Sequence, residues 1–303
     1  MGFSLVKRNL YIPIFQKNKI MVLESLISPH KAESHPKNLF FHGFIYVSIG
    51  LFLSLWIFNE HASLIMVFLT TMAAVPLVYN IIKVEEKKDL SELTEKSLLR
   101  EHSRALNVFI WYFIGATVAF AFWYTVLPSN IISGLFEVQT QTIVNIRSNI
   151  TGNSYENFRT FTEILSNNLK VLIFCILFSF LYGLGALFIL TWNASVIGTA
   201  IGNFIRSEIY QIGTQFHLGL GINYFQIISI GLFKYVIHGI PEIMAYFVAG
   251  LAGGIISTAA IRHDFGTKRY EKIIMDSSVL LLLSLFLVIS AAILEVWVTP
   301  IFF

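Results

Sequence analysis

The stretch KYVIHGIPE, residues 234–242, holds the densest set of reactive side chains within an otherwise apolar part of the chain. On one continuous helix Lys234, His238 and Glu242 stand four residues apart, so an amine, an imidazole and a carboxylate share one face. Such a stripe has the makings of a proton relay or of half a metal site. Gly239 and Pro241 argue the other way. Glycine commonly ends a helix and proline commonly begins one, which makes Gly239 the stop of one helix, Pro241 the start of the next and Glu242 an acid in its first turn. Lys234 and His238 then complement the negative end of the preceding helix. This helix-turn-helix corner accounts for every residue and is the expectation, with an ion or substrate site as the alternative. A catalytic metal is disfavoured, because HGIPE lacks the paired histidines of HExxH and no Asp-rich ligand set accompanies it.

Other chemistry-bearing motifs are missing. There is no GxxxxGKS/T, no GxSxG, no dinucleotide fingerprint and no pair of intramembrane aspartates. Cys175 is the single cysteine; it excludes an intramolecular disulfide and a cysteine-based zinc site and reads as a small buried hydrophobe. His217 and His263 fall at the ends of apolar runs, and Asn149-Ile150-Thr151 is a glycosylation triplet of the kind that often occurs by chance. The expectation is therefore no catalytic residue, no cofactor and no metal: not an enzyme.

What must position the corner is a set of membrane helices. The 303 residues are 55% hydrophobic and 13% charged, with a mean hydropathy of +0.70. Soluble domains carry about 25% charged residues, and a single globular core cannot hide this much apolar surface. The net charge of +3 is too small to suggest a nucleic-acid surface. Windows of membrane-spanning length select residues 39–58, 62–82, 105–127, 170–192, 218–238, 240–261 and 278–298. These runs are continuously apolar and lack the alternation of a barrel strand, so the expected fold is all-α, a polytopic helical bundle of about seven spans.

Charge fixes the expected orientation. Sixteen of the 21 Lys and Arg fall in residues 1–37, 83–104 and 262–272. Short cytoplasmic loops retain such residues. The long segment 128–168 carries only Arg147 and Arg159 and belongs outside. A multi-pass protein of the cell membrane follows, with its N-terminus cytoplasmic and its C-terminus outside. Within it, 1–37 is a basic segment suited to anionic headgroups, 38–127 holds three spans, 128–168 is extracytoplasmic, 169–262 forms a core, and 263–303 adds a basic loop and the last span. The pattern Phe158, Phe161, Ile164, Leu165 suggests a helix on the outer surface, with a partner-docking surface as the alternative. The inner loop pairs Glu92 with Lys96 at helical spacing.

Residues 193–217 are too polar for a comfortable span and too apolar for a loop. A crossing here would place Arg206 and Glu208 in the bilayer, at about 2.5–3.5 kcal/mol each if central. The segment is expected to be re-entrant or interfacial. Gly198 and Gly202 form a GxxxG, as do Gly250 and Gly254, a spacing that lets helices approach closely.

The run 164–198, ILSNNLKVLIFCILFSFLYGLGALFILTWNASVIG, followed by 236–253, VIHGIPEIMAYFVAGLAG, resembles the stage II sporulation protein M family. The matching residues are Asn167 and Asn168, glycines 183 and 185, Asn193 with Gly198, and His238, Gly239 and Glu242. The family often has proline just before its His-Gly pair, where this chain has Ile237 and carries Pro241 later. Residues 21–36 look like the opening of archaeal members. In endospore-forming bacteria the family works with partner proteins in wall remodelling, and relatives occur where no spores form. The resemblance implies a membrane scaffold with protein partners, not sporulation. The leading expectation is a non-enzymatic scaffold or complex subunit in the lipid bilayer, with protein partners or a homo-oligomeric state. A transporter or channel component, with a polar path along 193–217 and His238/Glu242, is the alternative.

Overall fold

The structure is a computed structural model that describes residues 32, 34–89, 95–147, 154–179, 184–214, 220–261 and 266–302. In chain order its helices are α1 (Leu39–Ile57), α2 (Ala62–Asp89), α3 (Glu95–Val126), α4 (Ser129–Leu135), α5 (Glu137–Arg147), α6 (Ser154–Ser179), α7 (Leu184–Thr214), α8 (Leu220–Ile261) and α9 (Lys268–Ile293). A π-helical stretch, Leu294–Val298, and α10 (Thr299–Phe302) complete the last span. Among the described residues there is no strand. The basic stretch 1–31, the triplet 149–151, Glu92, Gly183, His217 and His263 lie outside the described residues.

Helices follow from the solvent. Hydrocarbon offers the backbone no hydrogen-bond partner, so a long apolar run is stable there only when each N–H meets a carbonyl within its own segment. Seven helices among the described residues are long and apolar enough to cross a membrane: Pro36–Ile57, Asn59–Glu85, His102–Val126, Asn157–Ser179, Ala186–Tyr210, Ile237–Ser257 and Tyr270–Ile301. The Ile237–Ser257 stretch of α8 is 72% buried and central, whereas the crossing in α6 is 17% buried and peripheral. Phe41, Phe52 and Phe68 on α1 and α2, Phe174 and Leu177 on α6, and Leu282 and Phe286 on α9 are exposed. Apolar surface of that extent suits lipid rather than water. Trp56 and Trp297, also exposed, stand near helix ends, where amphipathic rings favour the headgroup level.

The segment at 193–217 corrects the sequence reading. Residues 193–214 neither re-enter nor lie along the interface; they continue α7, and Ala186–Tyr210 is itself a candidate crossing. Its polar side chains are satisfied inside the bundle. Thr191 donates to the Leu187 carbonyl, Ser195 to Trp192 and Thr199 to Ser195, and all three residues are buried. Polarity that counts against lipid exposure is thus compatible with burial against protein.

The neighbouring windows shift with it. The run 170–192 divides between α6 and α7, and the windows 218–238 and 240–261 join in the single 42-residue α8. Three windows become three different helices, so the count stays at seven. The stripe Phe158 to Leu165 is part of α6, which runs without a break through the boundary placed at 168/169.

Close approach of backbones organises the bundle. An added Cβ at Gly198 lies 2.5 Å from the Phe120 Cβ and 2.8 Å from the Thr117 oxygen, and one at Gly202 lies 2.7 Å from the Tyr124 Cβ. The rising register shows that α3 and α7 run parallel. On α8, a Cβ at Gly250 meets the Ala186 Cβ at 3.1 Å, and one at Gly254 meets Ile82 at 3.1 Å.

Gly239 does not stop a helix: α8 passes through it and through Pro241, so the corner is absent. Proline removes one N–H bond and crowds the carbonyl four residues earlier, that of Ile237. A break would free several backbone groups at once, and a continuous helix costs less where water is excluded. A Cβ at Gly239 meets nothing within 4 Å. Gly239→Ala is therefore expected to leave thermal stability in detergent unchanged or to raise it by up to about 1 kcal/mol. Gly198→Ala is expected to cost about 1–3 kcal/mol through overpacking. A loss at Gly239 matching that at Gly198 would restore the corner.

Candidate functional site

Continuity of α8 puts His238, Glu242 and Tyr246 on one stripe, at four-residue steps. The stripe faces the end of the last span. The His238 Nδ1 lies 3.2 Å from Thr299 Oγ1, and the Thr299 hydroxyl lies 3.1 Å from the Leu294 carbonyl. A hydroxyl has one hydrogen to give. With that hydrogen on Leu294, Nδ1 donates to Thr299. One turn further in, Tyr246 donates its hydroxyl to Glu242 Oε1 at 2.8 Å. Tyr246 is fully buried.

The antiparallel register of α8 against the last span places Glu295 opposite Glu242, one turn along from the His238–Thr299 contact. Glu295 is within electrostatic reach of Glu242. It sits in the π-helical stretch Leu294–Val298, a departure from α geometry found often at functional sites. Trp297, from the same stretch, packs on Phe161 of α6 with ring centroids 5.2 Å apart.

The other residues singled out from the sequence are dispersed. The Lys234 side chain lies outside the described residues. Asn167 is exposed, whereas Asn168 is buried and its Nδ2 has no hydrogen-bond partner. Asn193 donates to its own helix at the Ile189 carbonyl, 2.9 Å away. Among the described residues, the hydrogen bonds of the His238 and Glu242 side chains run to Thr299 and Tyr246, and none joins them to 193–206.

Three polar arrangements went unrecognised in the sequence. On α2 and α3, buried Glu85 and His102 pair at 2.7 Å. From α5, buried Gln139 reaches into the bundle: its Oε1 accepts from Ser63 at 2.7 Å, and its Nε2 donates to the Ser63 carbonyl and to Ser195 Oγ, each at 3.3 Å. Gln139 therefore ties the loop helix α5 to α2 and α7. Arg206 is the third case. Its Nη1 donates to the carbonyls of Leu127 at 2.7 Å and Tyr124 at 3.3 Å, and its Nη2 to Ser129 Oγ at 2.7 Å. These groups stand where α3 ends with unsatisfied carbonyls and a negative dipole end, which a guanidinium suits. Spacing along the chain reveals none of these, since the partners are 17 to 82 residues apart. Glu295 had a signal, an acid inside an apolar span.

Fold and polar interior together define a polytopic helical membrane protein with ionisable groups at membrane depth. The family model described as stage II sporulation protein M matches residues 108–300, from α3 to the last span. The chain belongs to the stage II sporulation protein M family. An uncharacterised protein of the archaeon Methanocaldococcus jannaschii is 28% identical over 173 residues, which is 56% of this chain and 83% of that protein. No solved structure matches.

Arg206 offers a direct check of the polar interior. Hydrogen bonds to charged groups contribute about 1.5–3 kcal/mol. Arg206→Ala is expected to lower thermal stability in detergent by about that amount. Arg206→Lys, which keeps the charge and loses the fork, is expected to recover part of the loss. An alanine variant as stable as the parent would show that the capping bonds contribute nothing.

Proposed function

We propose that the protein is a non-enzymatic membrane scaffold, or a subunit of a membrane complex, that acts with protein partners in envelope or membrane remodelling. The observation that carries this reading is the use of the interior polar groups. Thr191, Ser195 and Thr199 bond to helix carbonyls, Gln139 ties a loop helix to the bundle, and Arg206 caps α3. These are holding roles. Among the described residues, a cavity between α2, α3, α7 and α8 has a volume of about 20 Å³, and its walls, Ile82, Phe109, Leu190 and Phe247 among them, are apolar. That is room for about one water and no polar lining to keep it. The sparsely covered α6 suits contact with a partner in the membrane.

The proposed topology is N-terminus inside and C-terminus outside. The support is charge: if the seven candidate spans alternate in direction, the basic stretches 1–37, 83–104 and 262–272 fall on one side, and the positive-inside rule makes that side cytoplasmic. An impermeant thiol reagent applied to intact cells should label a cysteine placed at Asn149 and not one placed at Lys88, in a Cys175→Ala background. Reversed labelling would overturn the topology.

Affinity purification of the tagged protein in mild detergent, with mass spectrometry, tests the scaffold reading. A stoichiometric protein partner is expected. The second reading, a transporter or channel component, draws on one observation: Glu242 and Glu295 stand in candidate membrane spans within electrostatic reach of one another. Under the scaffold reading, the double variant His238→Ala, Glu242→Ala leaves ion flux in proteoliposomes unchanged. Recovery of the protein alone, with a flux that this variant abolishes, would replace the first reading with the second.

A further inference from the structure

We propose that Glu242 and Glu295 form a proton-binding site between α8 and the last span, in which the two carboxyl groups share one proton. The His238–Thr299 contact pins two antiparallel helices, and one turn along each brings Glu242 opposite Glu295. Two like charges there, taken out of water, repel one another and lose their hydration, and one proton relieves both costs.

Among the described residues, no lysine or arginine pairs with either acid. From α8 the groups around the pair are His238, held through Nδ1 to Thr299, and Tyr246, which donates to Glu242. From α6 it is Cys175, within reach of Tyr246. Lys234 is two turns, about 12 Å, from Glu242 along α8. Arg206 on α7 is engaged at the end of α3. Among the described residues no three His, Cys, Asp or Glu groups are placed to hold a metal ion.

A second observation points to the same place. The buried residues of α6, Asn168, Leu172, Cys175 and Ser179, form one stripe. Ser179 packs where a Cβ on Gly253 would stand, and Cys175, earlier on α6, lies within electrostatic reach of Tyr246, earlier on α8, so α6 and α8 run parallel. Asn168 stands eleven residues before Ser179, as Glu242 stands eleven before Gly253, which brings it to the level of Glu242. It is 5% exposed, and its Nδ2 has no partner. A buried amide donor without a partner calls for an acceptor, which a carboxylate oxygen or a water held by the pair supplies. Occupied by a proton, the site leaves one charge at the interface and keeps the end of the last span docked.

Infrared spectroscopy of the full-length protein in proteoliposomes tests this through the carbonyl stretch of a protonated carboxyl group. In potassium buffer at neutral pH the parent should show that band. Glu242→Gln and Glu295→Gln should each shift or remove it, and the double variant should lack it. Tyr246→Phe keeps both acids and the shape of the ring, so it covers the case in which a glutamine variant does not fold; it should shift the band by removing the bond to Glu242. Absence of the band from the parent, or a band that none of these variants alters, would overturn the proposal. So would a band that disappears when sodium replaces potassium, with bound sodium detected in its place, since the occupant would then be a metal cation.

Discussion

In hydrocarbon, a polar group that finds no partner inside the protein finds none at all, and the rest of this structure is arranged around that constraint. It explains why the described residues are helical and why α8 continues through Gly239 and Pro241. A proline costs one backbone bond, and the turn that glycine and proline favour in water exposes many more. It also explains the side chains. The buried hydroxyls of α7 fold back on their own helix, and Arg206 answers the carbonyls that α3 leaves open.

Small residues impose the second constraint. Lipid is as apolar as leucine, so helices gain little by hiding leucine from it and associate instead through close packing and interhelical hydrogen bonds. Gly198 and Gly202 let α7 approach α3, and the hydroxyl stripe of α7 lies alongside, close enough for Ser195 to meet Gln139. Packing and polarity cooperate in one interface. That interface falls within the part of the chain matched by the stage II sporulation protein M family, residues 108–300. The acids stand apart from it, between α8 and the last span. They are also unlike it, because carboxylates there serve no helix end.

The fold class, the number of crossings and the family were legible in the sequence, because each rests on local quantities. An apolar run of sufficient length is a span whatever its neighbours are, and the family motif is written in two short runs, 164–198 and 236–253. The candidate site was half legible. Lys234, His238 and Glu242 share a face only if the helix is continuous, and the local preferences of glycine and proline pointed to a break. Glu295 and Thr299 lie more than fifty residues further on, and nothing in the spacing of KYVIHGIPE names them.

By itself, then, the sequence determined a helical membrane protein of seven crossings, because hydrophobicity acts on each segment separately. Only the tertiary structure decided which stretches those crossings are. Residues 193–214 look too polar to span when judged against lipid, yet their neighbours are α3 and Gln139. The partner of a polar side chain is a property of packing, and packing brings together residues that the chain keeps far apart.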